Sequence, residues 1–530
     1  MEHVAEKILQ AVLDGHVRTK NDIQRLKRKL CRKYNLARFP SDVEILSFAT
    51  EEERTKASAI LRKKPTRTLS GVVVVAVMTE PMECPGQCVY CPTNIPTAPK
   101  AYVGEEPATL RARENRYDPY LQVTSRLDQL QAMGHSTDKV ELIVMGGTFL
   151  AASDAYQQTF IKRCLDAMNG HTAPTLNEAI LRSETSAVRP VGITIETRPD
   201  YCQPTHIDAM LAFGATRVEL GVQTIYDDIY TKVRRGHSVS DVITATQLAK
   251  DAGLKVCYHI MPGLPGSSYE RDQQVFRALF QSEEFQPDMI KIYPCLVLRG
   301  SALFDSWRKG EYSPYTTDEI IDLLVEIMPT IPQWVRIQRM QRDIPKRLIV
   351  AGPSAGNLTQ LVFQRAEKKG YQLQTIRYRE IGYKLRTQRI SDYKTPPLET
   401  LTLRIDNYAA SGGTEFFIAY EDKTADALVG YLRLRFPSAS AHRPEVKSYS
   451  AALLRELHVY GLSLDIGAKD DEAWQHRGIG SQLLAVAEET SRNHGYDRIV
   501  CTSGIGARQY YQKHGYQKDG PYMTKLLSTS

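Results

Sequence analysis

Six valine- and isoleucine-rich segments alternate with amphipathic segments through the middle of this chain, and this alternation constrains the fold more than any other feature. Apolar runs of strand length that alternate with helices form parallel sheets covered by helices. Six such units predict an α/β fold built on a partial (β/α)6 barrel rather than a full eight-fold barrel. The predicted strands cover residues 72–78, 140–145, 191–196, 217–222, 255–260 and 289–293.

The ends of these predicted strands are rich in glycine, proline and polar residues. Gly146, Gly147 and Thr148 follow the second strand, Glu196 ends the third, and Gln223 follows the fourth. In barrels of this kind the functional site lies at the carboxyl ends of the strands. A glycine there lets the backbone approach a ligand closely, although each of these residues also has an ordinary turn or packing role as its alternative.

Size and composition predict a cytoplasmic protein of two or three domains. The chain has 530 residues, which is too long for a single ordinary core. No apolar run reaches the length of a membrane span, and the N-terminus lacks the apolar stretch of a signal peptide. We therefore predict a basic helical segment over residues 1–64, the partial barrel over 65–335, a linker over 336–395, and a second α/β domain over 396–530.

The strongest local signal is the triplet Cys84, Cys88 and Cys91, which follows the first predicted strand. Three thiolates at this spacing can hold one cubane iron–sulfur cluster and leave one iron open. The alternative is a structural zinc site completed from elsewhere, but no second cysteine pair is present. The pattern, with Tyr90 before the last cysteine, resembles radical S-adenosylmethionine (SAM) enzymes. We predict buried apolar roles for the isolated cysteines Cys164, Cys202, Cys257, Cys295 and Cys501.

A second motif lies near the C-terminus, where Gln475, Gly478 and Gly480 form a glycine-rich turn before a predicted helix over 481–490. Such a turn presents free backbone N–H groups to a pyrophosphate, and the helix dipole adds to the attraction. The turn resembles that of the GNAT acetyltransferases, which would make the ligand acetyl-CoA. A purely structural turn, or the relic of a lost site, is the alternative.

A basic run near the N-terminus contains nine lysines and arginines between Arg18 and Arg38 and a single acid, Asp22. Clustered basic charge on a helix attracts phosphate backbones, although a solvated helix face is the more common explanation of such a run. The candidate tRNA contacts are Arg25, Lys27, Arg28, Lys29, Arg32 and Lys33.

The two modules in this order resemble the catalytic subunit of the Elongator complex and its stand-alone bacterial and archaeal homologues. The runs DKVELIVMGGTF, GITIETRPDYC, RIQRMQRDIP and RELHVYG carry the resemblance. It implies a tRNA carboxymethyluridine synthase that uses a 4Fe-4S cluster, SAM and acetyl-CoA. A SAM-derived 5′-deoxyadenosyl radical would activate the acetyl group, which would then add to C5 of the wobble uridine.

The resemblance also implies a set of site residues. Cys84, Cys88 and Cys91 would bind the cluster, and Gly146, Gly147, Thr148, Glu196 and Gln223 would bind SAM. The implied acetyl-CoA contacts are Lys139, Glu456, Leu457, His458, Val459, Ile479, Gly480, Ser481 and Tyr511. The candidate catalytic residues are Lys255, Tyr510 and Tyr511.

The implied partners are tRNA, the two cosubstrates and a reductant protein, without a membrane. The short first cysteine interval is typical of a stand-alone prokaryotic enzyme, which would act without accessory Elongator subunits. The basic stretch 337–345 would help to hold tRNA, and residues 373–380 contain no cysteine for a linker zinc site. Two other functions remain open: a protein lysine acetyltransferase with a structural cluster and Glu456 as its base, and a tRNA-binding scaffold without turnover.

Overall fold

A computed structural model describes residues 1–36, 38–61, 71–92, 97–387, 397–460 and 478–527. The predicted domain boundaries near 64 and 395 lie outside these residues, as do Gln475, His476 and Arg477 of the glycine turn. The described part of the chain forms two seven-stranded sheets and a small two-stranded one. None of its helices is both long and apolar enough to cross a bilayer.

Four helices with their own apolar core form the N-terminal region. Their bounds are α1 Glu2–Leu13, α2 Lys20–Lys33, α3 Asp42–Leu46 and α4 Glu51–Leu61. The basic run forms α2, and its single acid caps the helix: the Asp22 carboxylate accepts a bond from Thr19 N at 3.0 Å. The Thr19 hydroxyl accepts one in return from Asp22 N at 3.2 Å. This reciprocal pair is a capping box, which explains why the helix begins here.

The middle region is the predicted partial barrel, with all strands parallel in the order β1-β2-β3-β4-β5-β6-β8. Its strands are β1 Val73–Met78, β2 Lys139–Met145, β3 Arg189–Thr197, β4 Arg217–Gln223, β5 Lys255–Ile260, β6 Met289–Ile292 and β8 Arg336–Arg339. The helices between β1 and β6 are α5 Pro107–Glu114, α6 Pro119–Ala132, α7 Asp154–Asn169, α8 Leu176–Ser183, α9 Pro204–Ala212, α10 Asp227–Lys232, α11 Val239–Asp251 and α12 Tyr269–Gln281. The partial barrel is thus confirmed, with a seventh strand beyond the six that we expected.

The seventh strand lies in the stretch that we predicted to be a linker. β8 pairs with β6 in parallel register, Met289 opposite Arg336. Arg336 is largely buried, and its guanidinium has partners there: it donates to the Tyr460 hydroxyl at 2.7 Å and pairs with Glu380 at 2.8 Å. Within the basic stretch 337–345, which we expect to help hold tRNA, Arg339 and Arg342 line a pocket of the barrel.

The remaining elements of this part lie between β6 and the C-terminal domain along the chain. They are β7 Val297–Leu298, α13 Ala302–Arg308, α14 Thr317–Ile327, β9 Ile349–Ala351, α15 Leu358–Lys368, α16 Ile376–Arg379 and α17 Ile381–Thr387. β7 and β9 pair antiparallel, and α14 packs against α15.

The C-terminal domain is a mixed sheet in the order β10-β11-β12-β13-β14-β16-β15. Its strands are β10 Thr402–Ala410, β11 Gly413–Asp422, β12 Ala427–Phe436, β13 Ala451–Val459, β14 Arg498–Cys501, β15 Gln517–Asp519 and β16 Tyr522–Leu526. Its helices are α18 Pro444–Lys447, α19 Ile479–Asn493 and α20 Arg508–Lys513. α19 packs on β12 and β13, and these elements enclose a separate apolar core.

A buried ion cluster joins the barrel to the C-terminal domain. The Arg455 guanidinium contacts Asp288 of the barrel at 3.0 Å and Glu415 of its own domain at 2.8 Å. Arg435 donates to Asp251 of the barrel at 2.8 Å. Fully buried charges of this kind are tolerated only when they are paired and hydrogen-bonded, so the cluster holds the two domains in one arrangement.

Candidate active site

The three cysteines lie in a pocket at the carboxyl ends of the barrel strands. Cys84, Cys88 and Cys91 line it together with Gly147, Thr148, Glu196 and Gln223. The structure thus brings together residues from four strand ends, as the position of the site in such barrels requires. The five cysteines that we predicted to be buried are all buried, and so is Cys31, the remaining cysteine outside the triplet.

The glycine pair after β2 shapes the wall of this pocket. Gly146 has φ +125°, and a Cβ atom at this position would lie 2.0 Å from Oγ1 of Thr79. Gly147 has φ +93° and lines the pocket itself. Only glycine adopts both conformations readily, so the backbone here is shaped to approach a ligand.

Two arginines that we did not predict as site residues stand beside the cysteine loop. Arg235 donates from Nη1 to Sγ of Cys88 at 3.4 Å, and Arg198 holds Asp200 through two bonds of 2.9 and 2.8 Å. A hydrogen bond from Cys91 and the charge of Arg235 lower the pKa of Cys88, which favours the thiolate that binds iron. Arg198 directly follows β3, so its strand-end position was the available signal.

The donor set of the pocket fits a three-thiolate cluster with a polar cosubstrate beside it. Tyr90 Oη, Arg198 Nη1 and Gln223 Oε1 are buried without a hydrogen-bond partner, and Gln223 has the rare φ of +73°. Unpaired polar atoms and a strained backbone at one place indicate a ligand that satisfies them.

Charged side chains line the inside of the barrel below the pocket. On β4, Arg217 contacts Glu219 at 3.3 Å, and Glu219 accepts a bond from His259 at 2.8 Å. Lys291 contacts Glu219 as well as Glu196, the latter at 3.3 Å. These groups form a polar column from the amino ends of the strands to the pocket.

Glu219, Cys257 and His259 within this column are close enough to share a metal ion. However, Lys291 and Arg217 already contact the Glu219 carboxylate. Burial would raise the pKa of Glu219, but Lys291, His259 and Arg217 together hold it well below its usual range. The carboxylate is therefore neutralised by side chains, and a divalent ion would meet two positive charges.

An opening in the sheet of the C-terminal domain faces the other end of this column. β14 pairs with β13 only from Ala451 to Leu454, whereas β12 stays paired with β13 as far as Val459. Within the described residues, the backbone of Glu456, Leu457, His458 and Val459 is therefore free of strand pairing on its second side. Free N–H and C=O groups at a strand edge can pair with an extended ligand such as a pantetheine arm.

The first turn of α19 adjoins this opening. Ile479, Gly480 and Ser481 begin the helix, and a Cβ atom on Gly480 would lie 2.5 Å from the Tyr510 hydroxyl. A helix N-terminus presents free N–H groups, as an anion site requires. Tyr510 thus lies at this turn, whereas Tyr511 is buried, with its hydroxyl against Cys501.

Lys139 and Lys255 lie at the amino ends of their strands, at the end of the barrel remote from the cysteines. We predicted that Lys255 opens a strand and could reach an anionic group, and the structure places it near the Glu456 carboxylate of the C-terminal domain. Lys255 is the first residue of β5, so its side chain cannot reach the cysteines at the opposite end of the barrel. Lys255 therefore adjoins the opening rather than the cluster, and Lys139 lies 3.9 Å from the Asp138 carboxylate.

The basic residues of α2 divide into two groups. Arg25, Arg28, Lys29, Arg32 and Lys33 are exposed. Lys27 is 3% exposed and its ammonium lies 2.7 Å from Asp42. Contrary to our prediction, it is therefore not available to bind phosphate. Lys27 points inward because it shares the buried face of α2 with Ile23 and Cys31.

Comparison with known families agrees with this architecture. Residues 1–69 match the ELP3 N-terminal domain, 83–279 the Radical SAM superfamily, 287–368 the Radical_SAM C-terminal domain and 382–516 the Acetyltransferase (GNAT) family. The chain is therefore a radical SAM protein with a GNAT domain, and the family implies SAM, an iron–sulfur cluster and acetyl-CoA as its small molecules.

Full-length relatives narrow this class to one family. The chain is 47% identical to the tRNA uridine(34) acetyltransferase of Methanocaldococcus jannaschii, over 99% of this chain and 98% of that one. It is 41% identical to human Elongator complex protein 3, over 98% and 96%. The solved structure of Methanocaldococcus infernus Elp3, lacking residues 1–46, superimposes with a TM-score of 0.77 at 45% identity, over 86% and 100%. This chain belongs to the Elp3 family.

Proposed function

We propose that this protein modifies the wobble uridine of tRNA with an acetyl-derived group, and that the product is 5-carboxymethyluridine. The observation that carries the proposal is the placement of two sites at opposite ends of one polar barrel interior. The cysteine pocket lies at the carboxyl ends of the strands, and the opening at β13 lies at their amino ends. Relatives named for uridine 34 of tRNA support the substrate.

Each site has the donors that its small molecule would need. Cys84, Cys88 and Cys91 would hold the cluster, and the unpaired Gln223 Oε1 and Arg198 Nη1 would bind polar groups of SAM. When bound, the cluster and SAM supply the one-electron chemistry that a C–H bond of an acetyl group requires. The free edge of β13 and the first turn of α19 would hold acetyl-CoA.

The polar column provides hydrogen-bonding groups for a uracil ring between the two sites. The ion pair between Glu219 and Lys291 holds both side chains in place. The Lys291 ammonium therefore need not move to donate a hydrogen bond to a base. His259 donates to Glu219 from Nε2 and lines the pocket. Preorganised donors and acceptors of this kind orient a base and exclude water from the reacting atoms.

The surroundings of Glu456 argue against the alternative function, a protein lysine acetyltransferase. That reaction needs a general base near the thioester, and Glu456 is the group we considered. Burial would raise the pKa of Glu456, but Lys255 and Arg433 lower it from 4.5 to about 2. A carboxylate held this firmly is a weak proton acceptor at neutral pH, so it is better suited to positioning than to acid–base catalysis.

The experiment is product analysis under anaerobic conditions. Reconstituted protein is incubated with tRNA, SAM, acetyl-CoA and a reductant, and the tRNA is digested to nucleosides for mass spectrometry. We expect carboxymethyluridine with the unaltered protein and with C164S, whose thiol is buried in α7. C88S should give none. Absence of the product with the unaltered protein would contradict the proposal, and acetylated protein in its place, unaffected by C88S, would favour the lysine acetyltransferase.

The same experiment tests which partners are needed. Both modules and the basic N-terminal helices belong to one chain, so the reaction should require no accessory subunit apart from an electron donor. A scaffold without turnover would bind tRNA tightly but form no deoxyadenosine from SAM.

A further inference from the structure

His458 lies at the opening in the C-terminal sheet and faces the barrel. Side chains along a strand such as β13 alternate between the two faces of the sheet. Leu457 packs against the core of the C-terminal domain, where a Cβ atom on Gly480 of α19 would lie 3.9 Å from its Cδ2. Glu456, on the other face, lies near Lys255 of the barrel, whose charge lowers its pKa. His458 therefore projects toward the barrel, on the same side of the strand as Glu456.

The imidazole of His458 packs against two tyrosine rings. The Tyr431 ring, directly opposite on β12, is nearly parallel to it, with the ring planes 16° apart and the centroids at 5.9 Å. The Tyr460 ring lies closer, with a centroid distance of 4.4 Å, and Arg336 of the barrel donates to its hydroxyl at 2.7 Å. Burial raises the pKa of both tyrosines, so they remain uncharged at neutral pH. These contacts hold the imidazole in one orientation.

One nitrogen of this imidazole is buried without a partner. Nε2 of His458 makes no hydrogen bond among the described residues. Most buried polar atoms in folded proteins have a partner, so an unpaired one beside a candidate ligand site indicates a group that binds there. The free backbone of residues 456–459 would hold the pantetheine arm of acetyl-CoA, which brings the adjoining thioester to this part of β13.

The groups around His458 keep its imidazole neutral. Burial lowers its pKa from 6.5, the carboxylates of Glu456 and Glu380 oppose this effect, and the charges of Arg336 and Lys255 add to it. A neutral imidazole accepts a proton at neutral pH. In this respect His458 differs from Glu456, whose carboxylate is a weak proton acceptor.

We propose that Nε2 of His458 accepts the proton of the water molecule that hydrolyses the thioester. The inference rests on the proposed function, in which an acyl group joined to both uridine and coenzyme A must become a carboxymethyl group. The water oxygen bonds to the thioester carbonyl carbon, and one of its protons passes to Nε2. The carbon–sulfur bond then breaks, the sulfur of coenzyme A takes the proton from Nε2, and the uridine keeps a carboxyl group. The step needs no oxidant or reductant.

The test separates hydrolysis from the radical step. Full-length, anaerobically reconstituted protein reacts with tRNA, SAM, acetyl-CoA and a reductant, and the tRNA is digested at mildly acidic pH, where thioesters survive. Mass spectrometry measures carboxymethyluridine, the uridine adduct that still carries coenzyme A, and deoxyadenosine from SAM. The variants are H458Q and H458A, and the control is H494Q, at an exposed histidine that ends α19. Calorimetric titration with coenzyme A and thermal unfolding measure binding and folding separately.

We expect H458Q and H458A to form carboxymethyluridine roughly 100-fold more slowly, since this is the contribution of a general base, and to accumulate the coenzyme A adduct. Deoxyadenosine formation and coenzyme A affinity should stay within about twofold of the unaltered protein, because neither depends on a proton acceptor. H494Q should behave as the unaltered protein. The unaltered protein should itself accumulate the adduct in acid, with a midpoint below pH 6.5, because a protonated imidazole accepts no proton.

Carboxymethyluridine formed by H458Q at the rate of the unaltered protein would overturn the inference. A loss of deoxyadenosine or of coenzyme A affinity in both variants would also overturn it, because His458 would then act in an earlier step or in binding. So would an unaltered protein that forms deoxyadenosine in acid without any adduct, whether or not the variants fold.

Failure of the proposed function gives a different result. The lysine acetyltransferase that we considered would use the same nitrogen as its base, so C88S is assayed in parallel. Acetylated protein that requires His458 but not Cys88, without any modified uridine, would contradict the proposed function and leave His458 as the base of the thioester site.

Discussion

Nε of Arg433 donates a hydrogen bond to the carboxylate of Glu456 at 2.9 Å. The charge of Lys255, at the amino end of the barrel, also lowers the pKa of Glu456, so cations of both domains stabilise one carboxylate of the C-terminal domain. Arg433 in turn donates to the main-chain oxygen of Trp334 at 2.6 Å. Glu456, which lies at the opening beside β13, is therefore part of the contact between the domains.

This arrangement predicts an acid-sensitive contribution of Glu456 to stability. Its pKa is lowered from 4.5 to about 2 in the folded state, so the stabilisation is fully present above pH 4.5 and is lost as the pH falls toward 2. Urea unfolding of E456Q should thus show a lower midpoint than the unaltered protein near neutral pH, and the difference should shrink as acid is added. E399Q, at an exposed carboxylate, is the control, and a difference that stays constant across this range would contradict the prediction.

Gly146 provides a test of the pocket wall. G146A places a methyl group 2.0 Å from Thr79 Oγ1 on a backbone with φ +125°, so the turn after β2 must move. Since displacements of about 1 Å can cost 100-fold in a positioned site, we expect SAM affinity to fall at least tenfold in calorimetric titration of the reconstituted protein.

The matched control for this change is G170A. Gly170 ends α7 with φ +75°, and a Cβ atom there would meet nothing within 4 Å. It should cost about 1 kcal/mol of stability through backbone strain alone and leave SAM affinity unchanged. A G146A protein that binds SAM normally would show that the glycine pair does not shape the site.

The first six barrel strands were predictable because buried parallel strands are apolar throughout. β5 was predicted at its exact bounds, and β1 within one residue. β8 was missed because its sequence, Arg-Ile-Gln-Arg, is that of an exposed segment. Arg336 is satisfied by Tyr460 and Glu380, which lie too far along the chain for a local sequence pattern to predict the contact, whereas Arg339 pairs with the nearby Asp343.

The cysteine triplet was likewise visible from spacing, whereas the arginines beside it were not. Arg235 acts on Cys88 from 147 positions further along the chain, and only the folded barrel brings the two together. The inward position of Lys27 was hidden for a different reason. Each lysine in a run of basic residues has a similar local sequence. Which of them lies on the buried face of α2 depends on the position of α3, whose Asp42 pairs with Lys27.

The exposed and buried cations of α2 give opposite predictions for tRNA binding. K29Q and R32Q remove exposed charges, so each should weaken binding and lower the slope of log affinity against log salt by roughly 0.7–0.9. K27Q should leave that slope unchanged and lower stability instead, because it leaves Asp42 without its partner at 2.7 Å. Fluorescence anisotropy across a salt series, with thermal unfolding alongside, separates the two effects, and equal slopes for K27Q and K29Q would contradict this division.

The interdomain ion cluster gives the largest predicted effect on stability. R455M removes the cation between Asp288 and Glu415, both of which are essentially inaccessible to solvent. Each carboxylate would keep fewer ion-pair partners in the protein interior, where an unpaired charge is strongly destabilising. We therefore expect the free energy of unfolding to fall by about 3–5 kcal/mol. Thermal unfolding should show a lower midpoint, and limited proteolysis should cut between the barrel and the C-terminal domain.

Two further variants distinguish loss of a charge pair from loss of an arginine in general. R38Q breaks the exposed pair with Glu44 and should change stability little, because water screens that contact. Replacing the buried set together, as K250M/D288N/E415Q/R455M, should recover part of the loss, since Lys250 pairs with both carboxylates and no charge of the set is left stranded. If R455M were as stable as R38Q, the domains would be held by their apolar contacts, and the fixed distance between the two sites would need another cause.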